Sequence, residues 1–169
     1  TYDDVLNDFV LTENISDVTS MNISNYQNEE DYVSDLTGIG GFTALTYLDC
    51  SYNQLTSLNL SANTALDTLY CRSISLTSLD VSANTALAYL NCRSNSLTSL
   101  ELIDSADVSY TNTTLVYLNC RSNSLTNLGV NYHLALNYLD CGWNALTSLD
   151  VSANTALDTL NCSTDPSGS

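Results

Sequence analysis

Lysine is absent from this chain. Three arginines stand against nineteen acidic residues over 169 positions, a formal net charge of -16. That field disfavours nucleic acid and anionic membrane as partners, because both attract proteins through clustered Lys and Arg. Histidine occurs once, at His133, and glycine six times, which leaves no helix-borne pair of metal ligands and no glycine-rich loop to cradle a phosphate. No two cysteines lie two to four residues apart, as zinc would need. Nor does any apolar run reach the length that crosses a membrane, although 44% of residues are apolar and the mean hydropathy is -0.02. No charged-then-apolar segment opens the chain as a secretion signal would. The expectation is one soluble, non-catalytic domain with no cofactor and no metal.

What the chain does contain is a repeat. Cysteines stand at positions 50, 71, 92, 120, 141 and 162, spaced 21, 21, 28, 21 and 21 residues apart, and each closes the phrase Leu-x-x-Leu-x-Cys. Self-similarity at a fixed period of about 20 to 30 residues marks a solenoid of stacked coils. Cys50, Cys71, Cys92, Cys120, Cys141 and Cys162 hold the same place in every coil, two residues after Leu48, Leu69, Leu90, Leu118, Leu139 and Leu160. They are expected to form a buried column of free thiols packing as small hydrophobes. Parallel strands hold neighbouring side chains about 4.8 Å apart and pointing the same way, which suits the dihedral of a disulfide poorly.

Residues 45–65 serve as the template coil. The phrase runs twice, as Leu45-x-x-Leu48-x-Cys50-x-x-Asn53 and then Leu55-x-x-Leu58-x-Leu60-x-x-Asn63. Each coil therefore reads as a flattened turn with one or two short parallel strands, and little helix is expected outside an N-terminal cap. A coil that turns into its own core strands backbone groups, and a buried amide can satisfy them. One asparagine ladder is expected at Asn53, Asn95, Asn123 and Asn144, with Ile74 as a gap and a local weak point. A second runs through Asn63, Asn84, Ser105, His133 and Asn154, so His133 reads as a structural imidazole.

Residues 1–44 are expected to form the cap: a short helix carrying Val5, Leu6, Phe9 and Val10, then a degenerate first coil in Val18-Thr-Ser-Met21-Asn-Ile23. Nine of the nineteen acids precede residue 36, which marks this region as more solvated. Residues 45–162 hold five coils and a truncated sixth, and seven extra residues within 103–114 account for the 28-residue interval. Val108 and Tyr110 are candidate contacts on that insertion. Residues 163–169 read as a disordered tail.

With Leu48 and Cys50 inward, positions 47, 49 and 51 should turn outward. The first column is Tyr47, Thr68, Tyr89, Tyr117 and Tyr138; the second is Asp49, Tyr70, Asn91, Asn119 and Asp140. The third, Ser51, Arg72, Arg93, Arg121 and Gly142, holds every arginine, with Trp143 beside it. Tyr, Trp and Arg are the usual anchors of protein recognition, and aromatics with Asn and Asp also suit sugars. The competing reading is strand-favouring residues duplicated with the repeat. The other side of each coil shows Ser57, Asn59 and Ser61, then Ser78, Asp80 and Ser82, then Ser148, Asp150 and Ser152, a flat polar face of tight-coil fillers.

The phrases Leu-Thr-Tyr-Leu-Asp-Cys-Ser-Tyr-Asn-Gln-Leu-Thr-Ser-Leu (45–58) and Leu-Asp-Val-Ser-Ala-Asn-Thr-Ala-Leu (79–87) resemble leucine-rich repeat proteins, in particular their 21-residue IRREKO class. The segment Val-Ser-Asp-Leu-Thr-Gly-Ile-Gly-Gly-Phe (33–42) is similar to the entry into the repeats of internalin-like and Bacteroidetes bacterial surface proteins. The resemblance implies secretion or cell-surface display and non-catalytic binding of a protein or glycan through the outward strand face. Ala62, Ala83 and Ala153 depart from it, standing where related repeats often carry lysine. Residues 11–17 lack the length and Asp-x-Asn-x-Asp-Gly spacing of a calcium loop. Two other readings share the fold: a structural subunit that stacks on itself end to end into a filament, and an engineered repeat scaffold. Asn14, Asn22, Asn59, Asn112 and Asn161 match the glycosylation sequon.

Overall fold

The computed structural model of the chain describes residues 15–26, 32–103 and 114–163. The expected helix, Val108 and Tyr110, Ser105, and the tail beyond residue 163 lie outside the described residues. Within them each coil contributes one three-residue strand to a main sheet: β1 (Ser20–Asn22), β2 (Tyr47–Asp49), β3 (Thr68–Tyr70), β5 (Tyr89–Asn91), β7 (Tyr117–Asn119), β8 (Tyr138–Asp140) and β9 (Thr159–Asn161). On the opposite side β4 (Ser78–Asp80) and β6 (Ser99–Glu101) pair as a two-stranded parallel sheet, and the other described coils form no strand there. The main sheet is parallel and runs β1-β2-β3-β5-β7-β8-β9. This is the expected repeat solenoid, with one to two strands per coil.

Leucine sets the register. Met21 pairs with Leu48, and Leu48, Leu69, Leu90, Leu118, Leu139 and Leu160 then pair in succession. A slip of one residue would turn every leucine into water. The 28-residue interval leaves this pairing intact, since Leu90 still meets Leu118. Leu45, Leu48, Leu55 and Leu60 of the template coil are fully enclosed, and their equivalents, beginning with Leu66, continue one core along the stack. Each enclosed leucine contributes about 1.5 to 3 kcal/mol. Near the first coils a 3-10 turn, Ile39–Gly41, follows Gly38, whose φ of 96° favours glycine, and buries Ile39.

Cys50, Cys71, Cys92, Cys120 and Cys141 are buried and free. Burial pushes Cys50 and Cys92 up to about 12 and Cys141 to about 11; the buried thiol, unlike a thiolate, is a poor nucleophile. Cys162 corrects the expectation of a wholly buried column. It is exposed, as is Leu160, because β9 has a neighbour on one side only among the described residues. A chromogenic thiol reagent should therefore find one fast-reacting cysteine in the native chain, and the other five should react at the rate of unfolding. A second fast thiol would mean the column is open to solvent.

The corners show how the coils are tied. The residue before each position of the first ladder is left-handed: Tyr52 (φ 58°), Ser73 (φ 55°), Ser94 (φ 57°), Ser122 (φ 57°) and Trp143 (φ 54°). Asn95 Nδ2 donates to the carbonyl of Cys92 in its own coil (3.0 Å) and to that of Cys71 in the coil before (2.8 Å). Its Oδ1 accepts from the N–H groups of Ile74 (3.2 Å) and Leu76 (3.1 Å). Asn123 and Asn144 repeat the pattern, donating back to Cys92 and Cys120 and accepting from Leu97 and Leu125. Asn53 likewise donates to Ile23 and accepts from Val33.

Every amide thus serves the coil before it, so Ile74 leaves the preceding coil unserved. The N–H of fully buried Leu55, equivalent to those of Leu76, Leu97 and Leu125, has no acceptor among the described residues. Ser96, Ser124 and Ala145 donate to the carbonyls of Leu76, Leu97 and Leu125, but the matching bond from Ser75 to Leu55 is missing, and Ser75 takes an extra left-handed conformation (φ 69°). The Leu55 amide should exchange with solvent faster than those of Leu76, Leu97 and Leu125, and Ile74→Asn should slow it. Equal protection at all four would mean that the gap is closed by another acceptor.

The second ladder is less complete. Asn63, Asn84 and Asn154 each donate to two backbone carbonyls, but the Oδ1 of each is buried without a partner. His133 is fully buried in the same column.

Candidate functional site

The outer face of the main sheet is an aromatic ladder. Tyr47, Tyr89, Tyr117 and Tyr138 open their strands. Where Thr68 interrupts that column, Tyr70 fills the space from the end of β3. Ring centroids lie 6.0 Å apart for Tyr47 and Tyr70, and 5.2 Å for Tyr70 and Tyr89, with the planes tilted at 51° and 39°. Tyr89, Tyr117 and Tyr138 then stack at 3.9 and 4.4 Å with planes 4° and 6° apart. Parallel strands repeat at about 4.8 Å, near the separation at which rings stack, so the sheet itself imposes the pile. Burial raises the Tyr89 phenol far above its ordinary range, helped by the hydroxyls of Tyr117 and Tyr70. Tyr47 and Tyr138 rise for the same first reason, with Asp49 and Tyr117 adding to it respectively. These three hydroxyls stay protonated at neutral pH.

Apart from Tyr70, the second expected column does not face outward. Asp49, Asn91, Asn119 and Asp140 are 6%, 8%, 7% and 5% exposed. Each side chain turns back to accept a backbone N–H two residues on: Asp49 from Ser51 (3.0 Å), Asn91 from Arg93 (3.3 Å), Asn119 from Arg121 (3.1 Å) and Asp140 from Gly142 (3.1 Å). Alternation fails because these residues end their strands, and the Asx turn already leads the chain into the left-handed corner. Ser51 and Gly142 of the third column are buried as well. The same device recurs across the coil, where Asn59, Asp80 and Asp150 accept from Ser61, Ser82 and Ser152. The Ser152 hydroxyl, and after it the Ser152 N–H, hold the Asp150 carboxyl below its ordinary value. The recurrent Asp or Asn two residues before Ser, Arg or Gly was the available signal for it.

The three arginines differ sharply. Arg72 lies over the rings of Tyr26 (5.2 Å) and Tyr52 (5.0 Å), which pack on each other at 4.4 Å, and it donates to the Tyr26 hydroxyl. Arg121 lies 4.7 Å from the Trp143 ring and 3.7 Å from Asp140 Oδ2. Tyr52 and Trp143 occupy left-handed corner positions, so a neighbouring coil supplies each guanidinium with a ring. Arg93 is exposed and makes no ion pair or ring contact among the described residues. The repulsion expected of three stacked cations is thus relieved by the chain itself at two of them.

No protein-family model matches the chain, and no curated protein does. Among solved structures it is similar to the functional domain of InlJ from Listeria monocytogenes, which includes a cysteine ladder. The two are 40% identical with a TM-score of 0.65, over 91% of this chain and 37% of that one. The chain is an internalin-like leucine-rich repeat protein. Its fold is also that of a leucine-rich repeat protein of Leptospira interrogans (TM-score 0.67, 16% identity, 84% of this chain and 36% of that one). The internalin InlF of Listeria monocytogenes gives a TM-score of 0.62 at 19% identity, over 92% of this chain and 50% of that one. This internalin-like chain therefore spans between about a third and a half of the length of the structures it matches. No described helix is long and apolar enough to cross a membrane.

Proposed function

We propose that this internalin-like chain is a non-catalytic module, secreted or displayed at a cell surface, that binds a protein through the face built by Tyr47, Tyr70, Tyr89, Tyr117, Tyr138 and the arginine column. The observation that carries this reading is the ladder itself. Five tyrosines, each held by the sheet against its neighbours, present a rigid platform about 20 Å long at the strand spacing. A surface ordered before binding loses little further side-chain freedom on association.

The stacking also supports a protein over a glycan. Sugars pack their C–H faces flat on an open ring, whereas Tyr89, Tyr117 and Tyr138 cover each other's faces and offer edges and hydroxyls. Edges and hydroxyls suit the polar and aromatic mixture of a protein interface. The net charge of -16 steers a partner with a basic surface toward the module and away from other acidic chains.

The test is a parallel screen of arrayed extracellular protein domains and of a glycan array, with the wild type and a Tyr89→Ala/Tyr117→Ala variant whose circular dichroism is unchanged. Capture of a protein domain by the wild type that weakens at least ~10-fold in the variant supports the reading, since aromatic anchors commonly carry 2 kcal/mol or more. Capture of glycans alone, or of a protein indifferent to both substitutions, refutes it.

A further inference from the structure

We infer that the guanidinium of Arg93 is the docking point for a carboxylate carried by the partner protein, either an Asp or Glu side chain or a chain terminus. The inference rests on the proposed tyrosine–arginine face and names the chemistry of its central contact. It comes from comparing what surrounds the three arginines.

The corner column runs Tyr52, Ser73, Ser94, Ser122, Trp143. Arg72 and Arg121 each have a corner ring to lie on, but serine occupies the corner of the Arg93 coil and of the coils on both sides. The strand-end column runs Asp49, Tyr70, Asn91, Asn119, Asp140. Asp49 lies close enough to Arg72 to raise its pKa, after the larger effect of Tyr26, and Asp140 pairs with Arg121. Around Arg93 the same column offers only the neutral Tyr70, Asn91 and Asn119. Both replacements coincide on the middle coil. Ring and carboxylate are supplied to the flanking arginines and withheld from the central one.

The setting favours a strong contact there. In the order of coils Arg93 stands between two aromatic clamps, Tyr26–Tyr52–Arg72 on one side and Arg121–Trp143 on the other, and its own coil carries Tyr89, stacked on Tyr117. A charged anchor at the centre of an interface, ringed by packed residues that exclude water, is where a bidentate carboxylate contact has most effect. An unpaired guanidinium buried there would lose its hydration without return, so the partner must bring the anion. The partner is then basic over most of its contacting surface, to match the -16 chain, with one acidic residue at the centre.

The probe is the capped peptide acetyl-Tyr-Glu-Tyr-amide, titrated into the full chain labelled with nitrogen-15, with acetyl-Tyr-Gln-Tyr-amide as the control. Three arginines give three side-chain Nε–Hε signals, and Arg93→Ala assigns the central one. The expected result is a saturable shift of the Arg93 signal with the Glu peptide only, weakening as salt is added, while those of Arg72 and Arg121 stay in place. No shift at Arg93, an equal shift with the Gln peptide, or parallel shifts of all three signals would overturn the inference. Shifts at Tyr89 and Tyr117 without one at Arg93 would likewise end the carboxylate assignment while leaving the face able to bind peptide. Failure of the face itself is read separately, from the extracellular-domain screen.

Discussion

Asn95→Ala is expected to destabilise the chain by about 3 to 5 kcal/mol and to split its unfolding into two steps. Asn95 satisfies four backbone groups, the carbonyls of Cys71 and Cys92 and the N–H groups of Ile74 and Leu76. Each buried group left unpaired costs about 1 to 3 kcal/mol, less where water or a neighbour can reach it. Position matters as much as number. Ile74 already leaves the corner between the first two template-type coils without an amide, so removing Asn95 would leave two consecutive corners untied. Solenoid stability is close to a sum of coil and nearest-neighbour terms, and two adjacent weak interfaces, one on each side of β3, separate β1 and β2 from the coils beyond. Asn123→Ala strips an equivalent set of bonds but sits between the intact Asn95 and Asn144. It should give a smaller loss and a single transition. Urea melts followed by Trp143 fluorescence and by amide exchange in β1 to β3 would separate the two. Identical single transitions for both variants would show that the amide ladder does not set coil-to-coil coupling.

Most of the scaffold was legible because a repeat states its own geometry. The period fixed the coils, the leucine spacing fixed the strand register, and the recurrent asparagine fixed the corners, since each depends on one residue type at one offset. The face was only partly legible. Alternation assigned Asp49, Asn91, Asn119 and Asp140 outward, but local hydrogen bonds to N–H groups two residues on turn them back, a competition that a period-2 rule does not contain. Tyr70 stood in the second column beside Asn and Asp, and only the packing shows it replacing the ring missing at Thr68. The difference among Arg72, Arg93 and Arg121 lies in residues of neighbouring coils, such as Tyr52 and Trp143, which are 20 and 22 positions from Arg72 and Arg121. It becomes visible once the coils are stacked. Strand pairing on the second side involves only β4 and β6 among the described residues, and no residue pattern distinguishes those coils from the rest.

Raising the pH from 8 to 11 is expected to unfold the chain. Cys50 and Cys92 are pushed up to about 12 by burial, and Cys71 and Cys120 rise for the same reason, with neighbouring thiols adding to it. An unfolded thiol titrates near 8.5. Below that value both states hold the proton, and the thiol's contribution is fully present. Above it the unfolded chain releases protons that the folded chain keeps, so stability falls by about 1.4 kcal/mol per pH unit for each such thiol until its folded pKa is passed. At pH 10 Cys50 and Cys92 together would withdraw about 4 kcal/mol, a large part of the stability of an ordinary domain, and Cys71 and Cys120 act in the same direction. Tyr89, Tyr47 and Tyr138, held neutral mainly by burial, begin to act in the same direction above about 10. The measurement is the urea midpoint against pH for the wild type and Cys92→Ala. The variant starts less stable at pH 7 because of the cavity, but its stability should fall with pH less steeply by about 1.4 kcal/mol per unit. Parallel slopes for the two proteins would mean that the thiol column is not what alkali attacks, and that the tyrosine ladder yields first.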